Sequence, residues 1–245
     1  MKNIIKLTVL FFAIIISQNV FGDTYFPKKV KCPICEHNFE ITVMASYTTF
    51  GTMKDFQKQG AIGPLYKVMI NSCPKCHFSG FNSDLERIFT EETKTEILQI
   101  LEPYKEAEMN DILESEIAAK IHIYLNSKNE IIANIYLVAT YLLKFDTVQI
   151  EKRKELQKEC ITYQQKAIEN QEYDKTEIPI IYYLIGELYR RTGEFDKAIT
   201  YFDIVLDNIE KAKKKAKKKK GEDWLKTVAV EQRKMAIEKD EKNDI

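Results

Sequence analysis

The sequence predicts a mainly α-helical protein with a small β unit ahead of its helices, and three observations carry that expectation. Gly and Pro, the residues that interrupt helices, number only 8 and 6 among 245 residues. Apolar residues recur at helical spacing from residue 83 onward. Four of the five cysteines fall into two Cys-x-x-Cys pairs, each next to a short β-like segment.

Met1 to Gly22 has the pattern of a secretory signal. Lys2 and Lys6 give a short positive region, and Leu7 to Ile16 is apolar apart from Thr8. Ser17, Gln18 and Asn19 turn polar, and Val20-Phe21-Gly22 puts small residues at the cleavage positions. The apolar run is shorter than the roughly 20 residues of a membrane span. The expectation is export, with cleavage near Gly22 and a periplasmic or secreted chain from Asp23; an uncleaved anchor is the alternative. No cysteine lies near the cleavage point, which argues against lipid modification. The formal net charge is zero, so no global basic field gathers nucleic acid.

Residues 23–82 carry Cys32-Pro33-Ile34-Cys35 and Cys73-Pro74-Lys75-Cys76. A Cys-x-x-Cys turn points two thiolates at one place, and two such turns complete a tetrahedral sulfur site. Cys32, Cys35, Cys73 and Cys76 are therefore the expected ligands of one structural zinc in a small ribbon. Phe39, Phe78 and Phe81 would pack beneath it, and strands are expected at Phe39–Val43 and Leu65–Ile70. The 37 residues between the pairs exceed the usual spacing of about 15–20, so an insertion is expected at Thr48–Gly63. Two other chemistries stay open. An oxidising compartment permits disulfides or a thiol-redox pair, and Cys73, Cys76 and His77 match a c-type haem attachment pattern. His37 and His77 read as exposed turn residues and His122 as a packed helix residue.

From residue 83 to 245 the pattern is helical. Ser83-Asp84-Leu85-Glu86 has the form of a capping box. Helices are expected at Asp84–Leu101, with a break near Phe89 as the alternative, and at Lys105–Leu125, Glu130–Phe145, Val148–Asn170, Ile178–Arg191, Phe195–Ala216 and Asp223–Lys239. Tyr182, Gly186 and Tyr189, then a turn at Arg190 to Glu194, then Ala198 and Phe202, fit a tetratricopeptide helix pair. Gly186 and Ala198 are small where the helices cross; Tyr182, Tyr189 and Phe202 fill the groove between repeats. Cys160-Ile161-Thr162-Tyr163 echoes Ala198-Ile199-Thr200-Tyr201, which puts Cys160 at a small, buried helix position. The lysine run at 211–220 reads as a solvated helix end and leaves weak contact with a membrane surface open.

The two cysteine turns, Phe39, Gly63-Pro64-Leu65-Tyr66, Phe78 and the closing helix pair together resemble the bacterial family called domain of unknown function 2225. The resemblance implies a zinc ribbon followed by a tetratricopeptide-like domain, and it implies no activity. The family usually has Gly after each cysteine turn, where this chain has Glu36 and His77. There is no Gly-x-Ser-x-Gly elbow, His-Glu-x-x-His helix or phosphate-cradling Gly loop. The expected function is a protein-binding or scaffold module with a protein or peptide partner, the alternative being an exported redox or haem protein.

Overall fold

The computed structural model describes residues 23–59, 65–215 and 223–243. The signal-like segment 1–22, Gly63, Pro64 and the end of the lysine run lie outside the described residues. Thr24–Lys31 (β1) and Asn38–Ser46 (β2) form an antiparallel hairpin, with Lys31 opposite Asn38 and the first cysteine turn between them. Ile70–Ser72 (β3) and Ser79–Phe81 (β4) repeat the arrangement around the second cysteine turn. The expected strand at Leu65–Ile70 is instead a succession of turns as far as Met69. Leu65 and Val68 are buried three residues apart, a turn-like period that an apolar run does not distinguish from a strand. β1 was invisible to the pattern because it contains Pro27 and three lysines.

Seven α-helices follow among the described residues: Glu91–Leu101 (α1), Asp111–Tyr124 (α2), Asn129–Leu142 (α3), Ile150–Glu169 (α4), Ile178–Arg191 (α5), Phe195–Lys215 (α6) and Asp223–Ile237 (α7). The Ser83 capping box does not form. Ser83 makes no side-chain capping bond, and only a short 3-10 turn runs from Asp84 to Glu86. The Asp84 carboxylate is already committed, accepting from Phe81 N at 2.8 Å and lying 3.1 Å from His122 Nε2. Thr90 starts α1 instead, accepting from Thr93 N. The expected Lys105 start moves to Asp111, where Asn110 accepts from Ile112 N and Leu113 N.

Consecutive helices pack as α3 with α4, α5 with α6, and α6 with α7. A Cβ at Gly186 would lie 3.0 Å from Phe202 Cε1 and 3.2 Å from Tyr201 Cβ, so α5 and α6 meet where only hydrogen fits. Ala198 and Phe202 are fully buried, and the Tyr182 and Tyr189 rings lie 5.9 and 5.6 Å from that of Tyr201. Cys160 is fully buried, and desolvation pushes its thiol up to about 12.

The insertion is not a surface appendage. Its Met53–Gln57 turn enters the helical stack, where Asp55 Oδ1 meets Lys144 Nζ at 2.6 Å and Asp55 Oδ2 meets Arg191 Nη1 at 2.9 Å. Arg191 Nε and Arg190 Nη2 both reach Glu187 Oε1 at 2.7 Å. Phe56 packs against Tyr183 and Trp224, and Tyr141 donates to Asp55 O at 2.5 Å. Asp55, Lys144, Glu187, Arg190 and Arg191 are all buried. Arg190 and Arg191, where the expected helix Ile178–Arg191 meets the expected turn, are the last residues of α5 and are fully enclosed.

Asp55→Asn leaves the Lys144 and Arg191 charges without their shared carboxylate, and the expected cost is about 3–5 kcal/mol in urea unfolding. Desolvation and the nearby Arg191 hold the Lys144 ammonium down to about 8. The unfolded chain then keeps that proton to higher pH than the folded one, so Lys144 adds stability as pH rises from about 8 toward 10, against the loss that the buried Cys160 thiol brings. Denaturation series across that window should show the natural chain gaining stability relative to Lys144→Met.

Candidate metal centre

Each cysteine turn is built the same way. Cys32 N donates to His37 O at 2.9 Å and Glu36 N to Cys32 O at 3.1 Å, closing a turn that points both sulfurs inward. Ile34 N and Cys35 N each donate to Cys32 Sγ at 3.5 Å. In the second turn Cys73 N donates to Phe78 O and His77 N to Cys73 O, both at 2.9 Å. Glu36 and His77 follow the turns with φ of 60° and 62°. They adopt the left-handed backbone that Gly takes without steric cost.

The turns face each other and bring the four thiols together. Cys32 Sγ lies 3.6 Å from Cys76 Sγ, Cys35 Sγ lies 3.6 Å from Cys73 Sγ, and all four sulfurs fall within 4.8 Å of one another. Metal–sulfur bonds of about 2.3 Å in a tetrahedron give sulfur–sulfur edges of about 3.8 Å, so these spacings fit one ion. They do not fit bonded pairs, whose sulfurs lie about 2.05 Å apart, and all five cysteines are free. Haem attachment would use Cys73 and Cys76 alone, yet their sulfurs face Cys35 and Cys32.

Electrostatics favour the same reading. Cys73 is held down to about 2 by hydrogen bonds from Cys32 and then Cys76. The reciprocal bond to Cys73 pushes Cys32 up to about 12, and the bond to Cys32 pushes Cys76 well above its usual range. Thiols this close stabilise one thiolate by remaining protonated around it. A divalent cation removes that restriction, because each sulfur then ionises against the ion rather than against its neighbours.

The cluster is embedded as well as closed. Cys32 and Cys73 are buried while Cys35 and Cys76 are partly exposed. Cys32, Ile34, Ile41, Cys73 and Phe78 share one apolar core with Phe89, Ile97, Leu101, Ile117 and Ile121. The β unit thus packs directly on α1 and α2. Phe39 borders that core, whereas Phe81 packs against the larger helical core. His77 is not the exposed residue expected from sequence: it is buried, with Nδ1 2.8 Å from Tyr104 O. His37 stays partly exposed, stacked on Phe39. His122 is buried, placed between Asp84 on Nε2 and Ser127 Oγ on Nδ1, at 3.1 and 2.9 Å. Sequence reasoning missed Asp84 as its partner, because a capping box explained the same residue more simply.

A family pattern described as an uncharacterized protein conserved in bacteria, domain of unknown function 2225, matches residues 25–228, from β1 into α7. The chain belongs to that family. No curated protein and no solved structure shows significant similarity to it. In this member of the 2225 family all four clustered cysteines fall inside the matched region, as do both helix pairs.

Treating the purified chain with a strong metal chelator, or substituting Cys73→Ser, should abolish hydrogen-exchange protection at 24–46 and 70–81 while α3 to α6 stay protected. Protection that survives at both hairpins would mean the thiols do not hold this unit together through an ion. Glu36→Gly should raise the melting temperature by about 2–4 °C, because it relieves a left-handed Glu and removes only an exposed pair with Lys31. An unchanged or lower midpoint would show that the turn is not strained there.

Proposed function

We propose that the chain is an exported protein-binding module in which a zinc-braced ribbon supports a tetratricopeptide-like stack. The observation that carries the binding reading is a cleft of about 540 Å³ between the β4 end and the helices, with Phe81, His122, Asn134, Leu137, Tyr173 and Ile181 in its wall. Its lining is mixed, with partly buried Phe81, Leu137 and Ile181 beside buried Asp84, His122 and Gln164, a concave apolar surface carrying a few polar groups. Four sulfurs and no open ligand position suit a structural ion rather than a catalytic one, and a tetrahedral sulfur set suits zinc. Such sites contribute roughly 10–16 kcal/mol of apparent binding free energy in small zinc domains, enough to fold a unit with so little core. Export rests on the pattern of residues 1–22. An oxidising destination would favour a site whose thiols are engaged before they meet oxidant.

A photo-reactive amino acid at Asn134, an exposed cleft residue, tests the binding reading in the producing bacterium. A discrete adduct absent from the same probe at exposed Glu92 supports it; matching backgrounds at both positions retire it. Native and denatured masses of the exported chain test the rest. A mass starting at Asp23 with one zinc and free thiols is expected, whereas a covalent haem adduct or missing thiol hydrogens would move the assignment to redox chemistry.

A further inference from the structure

Arg190 and Arg191 are completely enclosed, yet what covers them on one side is a segment that is itself half exposed. α7 ends at Ile237 and the chain turns at Lys239 with φ of 55°. Residues 240–243 then run back over the end of α5 with no helix or strand of their own. Arg190 Nη1 donates to Asp240 O at 2.6 Å and Nη2 to Lys242 O at 2.8 Å. Arg191 Nη1 donates to Asn243 O at 2.6 Å. All three acceptors are main-chain carbonyls, so the clamp reads an extended backbone and not a particular side chain.

Two flanking contacts add a sequence preference. Lys154 Nζ pairs with Glu241 Oε2 at 2.8 Å, and Gln157 Nε2 donates to Asn243 Oδ1 at 3.1 Å. Gly193 makes room for the first of them: a Cβ there would stand 2.7 Å from Glu241 Oε1. Glu187 holds Arg190 from behind through Nε and Nη2, at 2.9 and 2.7 Å, so the guanidinium is aimed before any peptide arrives. Arg190, Arg191, Lys144 and Lys154 outweigh Glu187 and Asp55 in charge, and the shelf suits an acidic segment.

We propose that this shelf is a binding site for an extended acidic peptide, of the pattern acidic residue, any residue, Asn, which residues 240–243 occupy in cis. The inference rests on the protein-binding reading and gives it a second site and a ligand class. The partner is a protein segment that displaces the tail, and its hold on the three carbonyl donors is the one the tail now has.

The test uses the full chain with Glu241→Lys and Asn243→Lys, which set a cation against Lys154 and remove the acceptor of Gln157, and a synthetic peptide of residues 238–243 as the probe. Trypsin cleavage after Lys239 reports release of the tail. The peptide should bind this variant at least about tenfold more tightly than the natural chain, where the cis segment competes at high effective concentration. Adding Lys154→Met, which removes the cation without re-forming a reversed pair with the substituted tail, should weaken that binding severalfold. Released tail without peptide binding overturns the proposal, as does equal binding to natural and variant chains. A tail that trypsin does not reach faster than in the natural chain also overturns it, since the segment is then a fixed part of the fold. Adducts at Asn134 with no peptide binding here would retire this site and leave the proposed function standing.

Discussion

Burying two carboxylates and three cations away from water is expensive, and the arrangement around Asp55 returns that cost only because every member is engaged at once. Asp55 gives one oxygen to Lys144 in the turn after α3 and the other to Arg191 on α5, while Glu187 divides its carboxylate between Arg190 and Arg191. Apolar contacts between the insertion and the helices could be satisfied by many registers. This network is satisfied by one. Remove a partner and the others are left charged in a place water does not reach. The relative placement of the β unit, the insertion and the helical stack is therefore set by a polar contact across 136 residues of sequence.

The β unit needs that placement. Two hairpins, one of them only three residues a strand, do not bury enough apolar surface to stand alone. Their sulfurs supply a cross-link and their inner faces supply Ile34, Ile41 and Phe78 to a core completed by α1 and α2. A second polar tie fixes the far side: Asp84, just after β4, joins Phe81 N to His122 on α2. Burial works against the Asp84 charge, but its bond to His122 holds the carboxyl below its ordinary range. The four-cysteine cluster and the helices are thus two supports for one small unit.

Much of this was legible in the residues. Helices α3 to α7 followed from periodicity and from breaks at Gly193 and the charged turns, and the two Cys-x-x-Cys pairs located the thiol cluster before any geometry was known. What failed, failed for physical reasons. β1 is held by its partner strand and not by its own composition, so a Pro and three lysines hid it. Ser83 has the letters of a cap, but the carboxylate beside it had a better partner 38 residues away. The Asp55 network left no local trace at all, because single charges in a turn and at helix ends look like solvated surface until the fold closes over them.

The same closure explains why the end of α5 is so heavily charged. Arg190 and Arg191 each face two ways: toward Glu187 and the insertion on one side, toward the carbonyls of residues 240–243 on the other. The inner contacts are charge against charge and buried, so they are costly to exchange. The outer contacts are charge against carbonyl beneath a half-exposed strand, and another strand can make them equally well. A rigid inner anchor and an exchangeable outer face on the same two guanidiniums are what a peptide clamp requires, and here the anchor is also the interaction that holds the two halves of the chain together.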